Sequence, residues 1–202
     1  MDAASPTQAD GVRYAGFWRR FGALLLDLLI LSPYLLLCAW AQQYRAYWLW
    51  GIPRVLIVVL CFHVYLVRRY GGTPGKLLEH LQIRKVNLEP VGYREAILRE
   101  LLGTIISLLS ATALLIAALK MTDAQVLAGD YRARMQHIEA LQPSWAIKVV
   151  WVRQLWWCGE VLFLLSNDKK RTISDFIAGT VVVIQNSRDK TALDLPEAPV
   201  DA

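Results

Sequence analysis

Asp27 demands a chemical account before any other residue. It stands inside an otherwise apolar stretch, Phe21 to Ala41. An ionised carboxylate there costs several kcal/mol unless it is paired, hydrated or protonated. Arg20 lies seven positions earlier on the same helical face, but the rise of about 10 Å between them makes direct contact depend on both side chains leaning together. Arg153 and Glu160 repeat the seven-residue spacing of base and acid inside another apolar stretch, residues 145–165. If these two helices pack side by side, Asp27 and Glu160 sit at similar depth, and with Arg153 they form one intramembrane polar cluster. Such a cluster binds a cation or a proton, with Arg153 tuning the carboxylates by proximity. Alternatively, the same charges only lock helices together.

Other chemistries find no footing. In Gly71-Gly72-Thr73-Pro74-Gly75-Lys76 the position where a phosphate loop needs its first glycine is Tyr70, and Leu77 follows the lysine in place of Ser or Thr. That segment reads as a turn. Cys38, Cys61 and Cys158 are odd in number and set in apolar sequence, and His63, His80 and His137 are dispersed. Neither a disulfide framework nor a metal site is expected, and His63 reads as an ordinary buried or interfacial residue. With no converging nucleophile and base and no cofactor fingerprint, the chain is not expected to be an enzyme or to hold a cofactor. Its net charge of +5 is modest and lies largely beside the apolar stretches, where it faces lipid headgroups rather than nucleic acid.

The elements that must position these residues are membrane helices. Of the 202 residues 55% are hydrophobic, and they are gathered into blocks near the length of about 20 residues that crosses a bilayer. The spans predicted are about 21–41, 48–67, 101–119 and 145–165, giving an all-α integral membrane protein of four transmembrane helices. Between spans two and three, Leu81, Ile83 and Val86 alternate with polar residues, and the run Ile177 to Ile184 is apolar, β-branched and too short to span. Two short strands, about 81–87 and 179–186, are expected to pair on one membrane face. Residues 1–16 form a polar tail, 17–186 the membrane domain, 120–144 an excursion beyond the bilayer with a helix-like part around Tyr131 to His137, and 187–202 a disordered tail. Fifteen Lys and Arg residues flank the face that carries both termini and six flank the other, which places both termini in the cytoplasm.

Three segments together resemble one family. AGFWRRFGALLLDLLIL, GGTPGKLLEHLQIRKV and KKRTISDFIAGTVVV are similar to the RDD family of membrane proteins, named for one arginine and two aspartates; here these are Arg20, Asp27 and Asp175. The likeness runs from Ala15 to Ile184. It implies a bacterial inner-membrane protein with a role in transport, some members being linked to sodium/proton exchange. Two functions follow as expectations. One is a transporter or cation/proton exchanger acting through Asp27, Glu160 and Arg153, as an oligomer because four spans are few for alternating access. The other is a non-transporting scaffold or assembly partner in which Arg20, Asp27 and Asp175 tie the first span to an ordered cytoplasmic face. From the residues alone, Asp175 is a turn or helix-cap residue at that surface.

Overall fold

The computed structural model describes residues 13–127 and 130–185. Four of its helical segments are long and apolar enough to cross a bilayer: α1 (Phe17–Ala41), a second beginning at Gly51, α6 (Tyr93–Lys120) and α9 (Ala146–Ser166). Leucines project from them into open surroundings, Leu36 at 70% and Leu155 at 69% exposure. Bands of that kind fit hydrocarbon and not water. The protein is an all-α membrane protein with one small sheet.

Local sequence explains how the helices survive their irregular residues. Pro33 lies inside α1 and has no amide to give Leu29, and the Ser32 hydroxyl donates to that carbonyl instead, at 2.7 Å. The second span runs through α3 (Gly51–Val58), a π-helical segment (Val59–Tyr65) and α4 (Leu66–Tyr70). Gly71 then ends it in the left-handed region, φ 82°, with its amide on the Val67 carbonyl. Nothing in the residue pattern announced the π segment. Helix α6 likewise starts eight residues before the apolar run at Leu101, so Arg99 and Glu100 belong to the helix and not to its flank.

On one face lies the predicted sheet. Strand β1 (Leu81–Lys85) pairs antiparallel with β2 (Thr180–Ile184), Ile83 opposite Val182. The start of the chain joins them, since the Ala15 amide donates to the Val182 carbonyl and the Ile184 amide to that of Arg13. Both described ends of the chain therefore lie on the same side, as an even number of spans requires. Leu81, Ile83 and Val182 pack with Val64, Val67 and Ala23 into a core that ties the sheet to the helix ends. Two short helices complete this face, α5 (Pro74–Leu78) and α10 (Ile173–Ala178).

Helices α2 (Arg45–Leu49), α7 (Asp123–Leu127) and α8 (Tyr131–Leu141) cover the opposite face. The excursion expected at 120–144 is thus largely ordered, its second helix capped by the Asp130 carboxylate. Trp48 packs there with Ala117, Met121, Val126 and Ile138. Residues 1–12 and 186–202, on which most of the two predicted tails and two of the counted basic residues fall, lie outside the described residues.

Candidate functional site

Asp27 is buried, and both of its oxygens are occupied. Oδ2 accepts from the Thr73 hydroxyl at 2.6 Å and Oδ1 from the Gly75 amide at 2.7 Å. The local sequence of Thr73, Pro74 and Gly75 makes the beginning of α5, with Thr73 extended at the N-cap and Pro74 supplying the fixed φ of a first helical residue. Amides at a helix start point outward without partners, so a carboxylate is the natural acceptor. Gly75 permits the approach. A Cβ there would run into the Ala23 carbonyl and stand 2.8 Å from Asp27 Cγ. Lys76 Nζ donates to the Thr73 hydroxyl at 3.3 Å, which leaves that hydroxyl free to point its own proton at Asp27.

Arg20 does not lean toward Asp27; it turns the other way, to Asp175. Arg20 Nη1 meets Asp175 Oδ2 at 2.8 Å, and Arg99 Nη1 meets Oδ1 at 2.5 Å. Further donors complete the carboxylate, the Thr180 hydroxyl on Oδ1 and the Thr172 amide on Oδ2. The Thr172 hydroxyl in return accepts the Asp175 amide, so the expected cap role is real: Thr172 and Asp175 form a capping box at the start of α10. On the sheet face Asp175 is enclosed rather than open to solvent, with an exposure of 0%. Burial pushes its carboxyl up, but the Arg99 and Arg20 guanidiniums outweigh that and hold it down at about 2. Arg20 also donates to the carbonyls of Ala15 and Lys170. One side chain thus joins α1, the loop before α10, and α10 itself.

Glu160 is engaged separately. Its Oε1 accepts from the Ser174 amide at 2.9 Å and the Ser174 hydroxyl at 2.7 Å. Among the described residues, Arg153 pairs with neither Glu160 nor Asp27. The single cluster expected of Asp27, Glu160 and Arg153 is therefore not assembled. Seven-residue spacing does put Arg153 and Glu160 on one face of α9, but the two short helices each bring their own donors to an acid and satisfy it first. Ser110 and Thr112 return their hydroxyls to the carbonyls of Ile106 and Leu108 on their own helix, in keeping with packing roles.

The arginine and two aspartates thus form two buried knots at one end of the four-span bundle, each binding α1 to the segments around the sheet. The family model described as RDD family matches residues 14–179. The chain belongs to the RDD family. No curated protein and no solved structure matches it.

A third polar contact in this RDD protein escaped the reading of the residues. His63, in the π-helical segment, places Nδ1 3.6 Å from Glu100 Oε1 on α6. Arg99 Nε stands 4.0 Å from the same carboxylate oxygen, and half-buried Lys76 lies within Coulombic range of Glu100, Arg99, Asp27 and Arg20. π-Helical turns recur at functional sites. Farther along the same seam between the second span and α6, toward the α2 face, lies a cavity of about 210 Å³.

Proposed function

We propose that this RDD protein carries a small solute across the bilayer in exchange for, or together with, protons, and that His63 and Glu100 are the proton-carrying pair. The observation that carries this reading is the His63–Glu100 contact, in the one π-helical segment among the described residues. Glu100 lies seven residues from the start of α6, about 10 Å inside the helix end. Its partner is an imidazole, a group that can both donate and accept a proton. Asp27, the residue first expected to bind the ion, serves this reading as a strut. A cation/proton exchanger is the form that the family resemblance favours; it works as an oligomer in a bacterial inner membrane, with the sheet face and both termini in the cytoplasm, and performs no covalent chemistry.

A specific observation favours the second reading, a membrane scaffold. Both oxygens of Asp27 and of Asp175, and Oε1 of Glu160, are engaged by protein donors, and a carboxylate so occupied gains little from an ion. The experiment that separates the two readings is reconstitution into liposomes with an imposed proton gradient. Na⁺, K⁺ or Li⁺ is added in turn and internal pH followed, with His63→Gln beside the wild type. Collapse of the gradient by a cation in the wild type and not in the variant supports transport. An unchanged gradient with folded wild-type protein supports the scaffold and removes cation/proton exchange.

A further inference from the structure

We propose that the cavity between the second, third and fourth spans is a binding site for a small oxyanion, a carboxylate or phosphate group. The proposal goes beyond the transport reading and stands without it. Two arginines that lie 99 positions apart in the chain, Arg54 on α3 and Arg153 on α9, line this space together with Ser107 and Ser110 of α6. No acid lines it.

The electrostatics call for an occupant. Arginine stays protonated at any physiological pH, so two like charges share a space at membrane depth. Arg153 stands seven residues inside the end of α9, about 10 Å from it; its side chain is exposed beyond the cavity it lines, and among the described residues it has no intramolecular hydrogen-bond or ion-pair partner. The nearest acid along its helix face, Glu160, is committed to Ser174. Arg54 is held in place rather than neutralised: it donates to the Tyr47 carbonyl at 3.0 Å and its guanidinium stacks 3.7 Å above the Tyr47 ring. That anchoring leaves further donors of its planar fork to aim at a ligand. Guanidinium forks match the paired oxygens of carboxylate and phosphate, so an oxyanion is the fitting counter-charge. Ser107 adds a hydroxyl on the third wall, and about 210 Å³ is room for a group of several heavy atoms, given about 30 Å³ per water in the liquid. The same chemistry comes from a free anion or from the phosphate of a lipid whose headgroup dips into the bundle.

The test is a melting series on the full chain in a neutral detergent, read by tryptophan fluorescence, for the wild type, Arg153→Gln and Arg54→Gln. One arm adds sodium phosphate against sodium chloride of matched ionic strength, and the other adds phosphatidylglycerol against phosphatidylcholine. We expect a saturable rise of several degrees in the wild type that both variants lose. A rise with phosphate identifies a soluble anion as the occupant, and a rise with phosphatidylglycerol alone identifies the headgroup; either supports the site. No rise in either arm, or an equal rise in the variants, overturns it. Should the variants not fold, bromide soaked into wild-type crystals decides: an anomalous peak between Arg54 and Arg153 is expected, and an empty cavity overturns the proposal. The readout needs no gradient, so failure of transport and failure of binding are told apart.

Discussion

Arg20 Nη1 and Asp175 Oδ2 meet at 2.8 Å across 155 residues of chain, inside the end of a helix bundle where the aspartate is wholly out of solvent. Arg99 closes the other side of the carboxylate. Two positive charges thus depend on one buried negative charge, and the consequences of removing it are asymmetric.

Asp175→Asn keeps the shape but removes the one charge that both guanidiniums contact, leaving Arg99 only the more distant Glu100 carboxylate at 4.0 Å. Breaking a buried pair in this way costs about 3–5 kcal/mol. A large fall in Tm in detergent is expected, greater than for Glu160→Gln, whose two Ser174 donors bring no charge. Equal losses for the two variants would refute the ion-centre account.

Acid should undo the same centre. The Asp175 carboxyl is depressed in the fold to about 2 by Arg99 and Arg20 against the opposing effect of burial. In the unfolded chain it titrates near 4. The folded form therefore binds fewer protons between these values, so its contribution is complete above about pH 4 and fades as pH falls toward 2. Thermal melts from pH 6 to pH 2 should show Tm dropping most steeply over the lowest two units. In Asp175→Asn that part of the slope should be absent.

Glycine substitutions should separate by what a methyl meets. Gly75→Ala drives a carbon into the Ala23 carbonyl and the Asp27 carboxylate, and overpacking of that kind costs about 1–3 kcal/mol. Gly103→Ala, in the middle of α6, meets nothing within 4 Å and should gain about 0.5–1 kcal/mol from helix propensity. Opposite shifts in Tm are the expected result.

Much of this architecture was legible in the residues because it follows from hydropathy and periodicity. Four apolar blocks gave four spans, and the alternation at Leu81 and Ile83 with the β-branched run Val181 to Ile184 gave two paired strands, whose antiparallel register the structure adds. The partners of the charges were not legible, because each lies far away in the chain. Thr73 is 46 positions from Asp27 and Arg99 is 76 from Asp175. Local signals did exist. Thr-Pro-Gly announces a helix start in want of an acid, and Thr172 with Asp175 three residues later has the spacing of a capping box. The first was read as a turn and the second as a turn or helix cap without its helix, because a five- or six-residue helix has too little periodicity to be seen. His63 and Glu100 were missed for a different reason: ending the third span at Leu101 left Glu100 on the flank, where an acid needs no partner.

The central claim divides the intramembrane charges into struts and one working pair, and a single comparison tests it most directly. Glu100→Gln and Asp27→Asn are reconstituted side by side with the wild type and proton flux is followed under an imposed gradient. In Asp27→Asn the side-chain oxygen still accepts from the Gly75 amide while its NH2 donates to the Thr73 oxygen in place of accepting from it, so exchange should persist near the wild-type rate, whereas Glu100→Gln should abolish it while remaining folded. Flux lost in Asp27→Asn and retained in Glu100→Gln would contradict the account and return the ion site to Asp27.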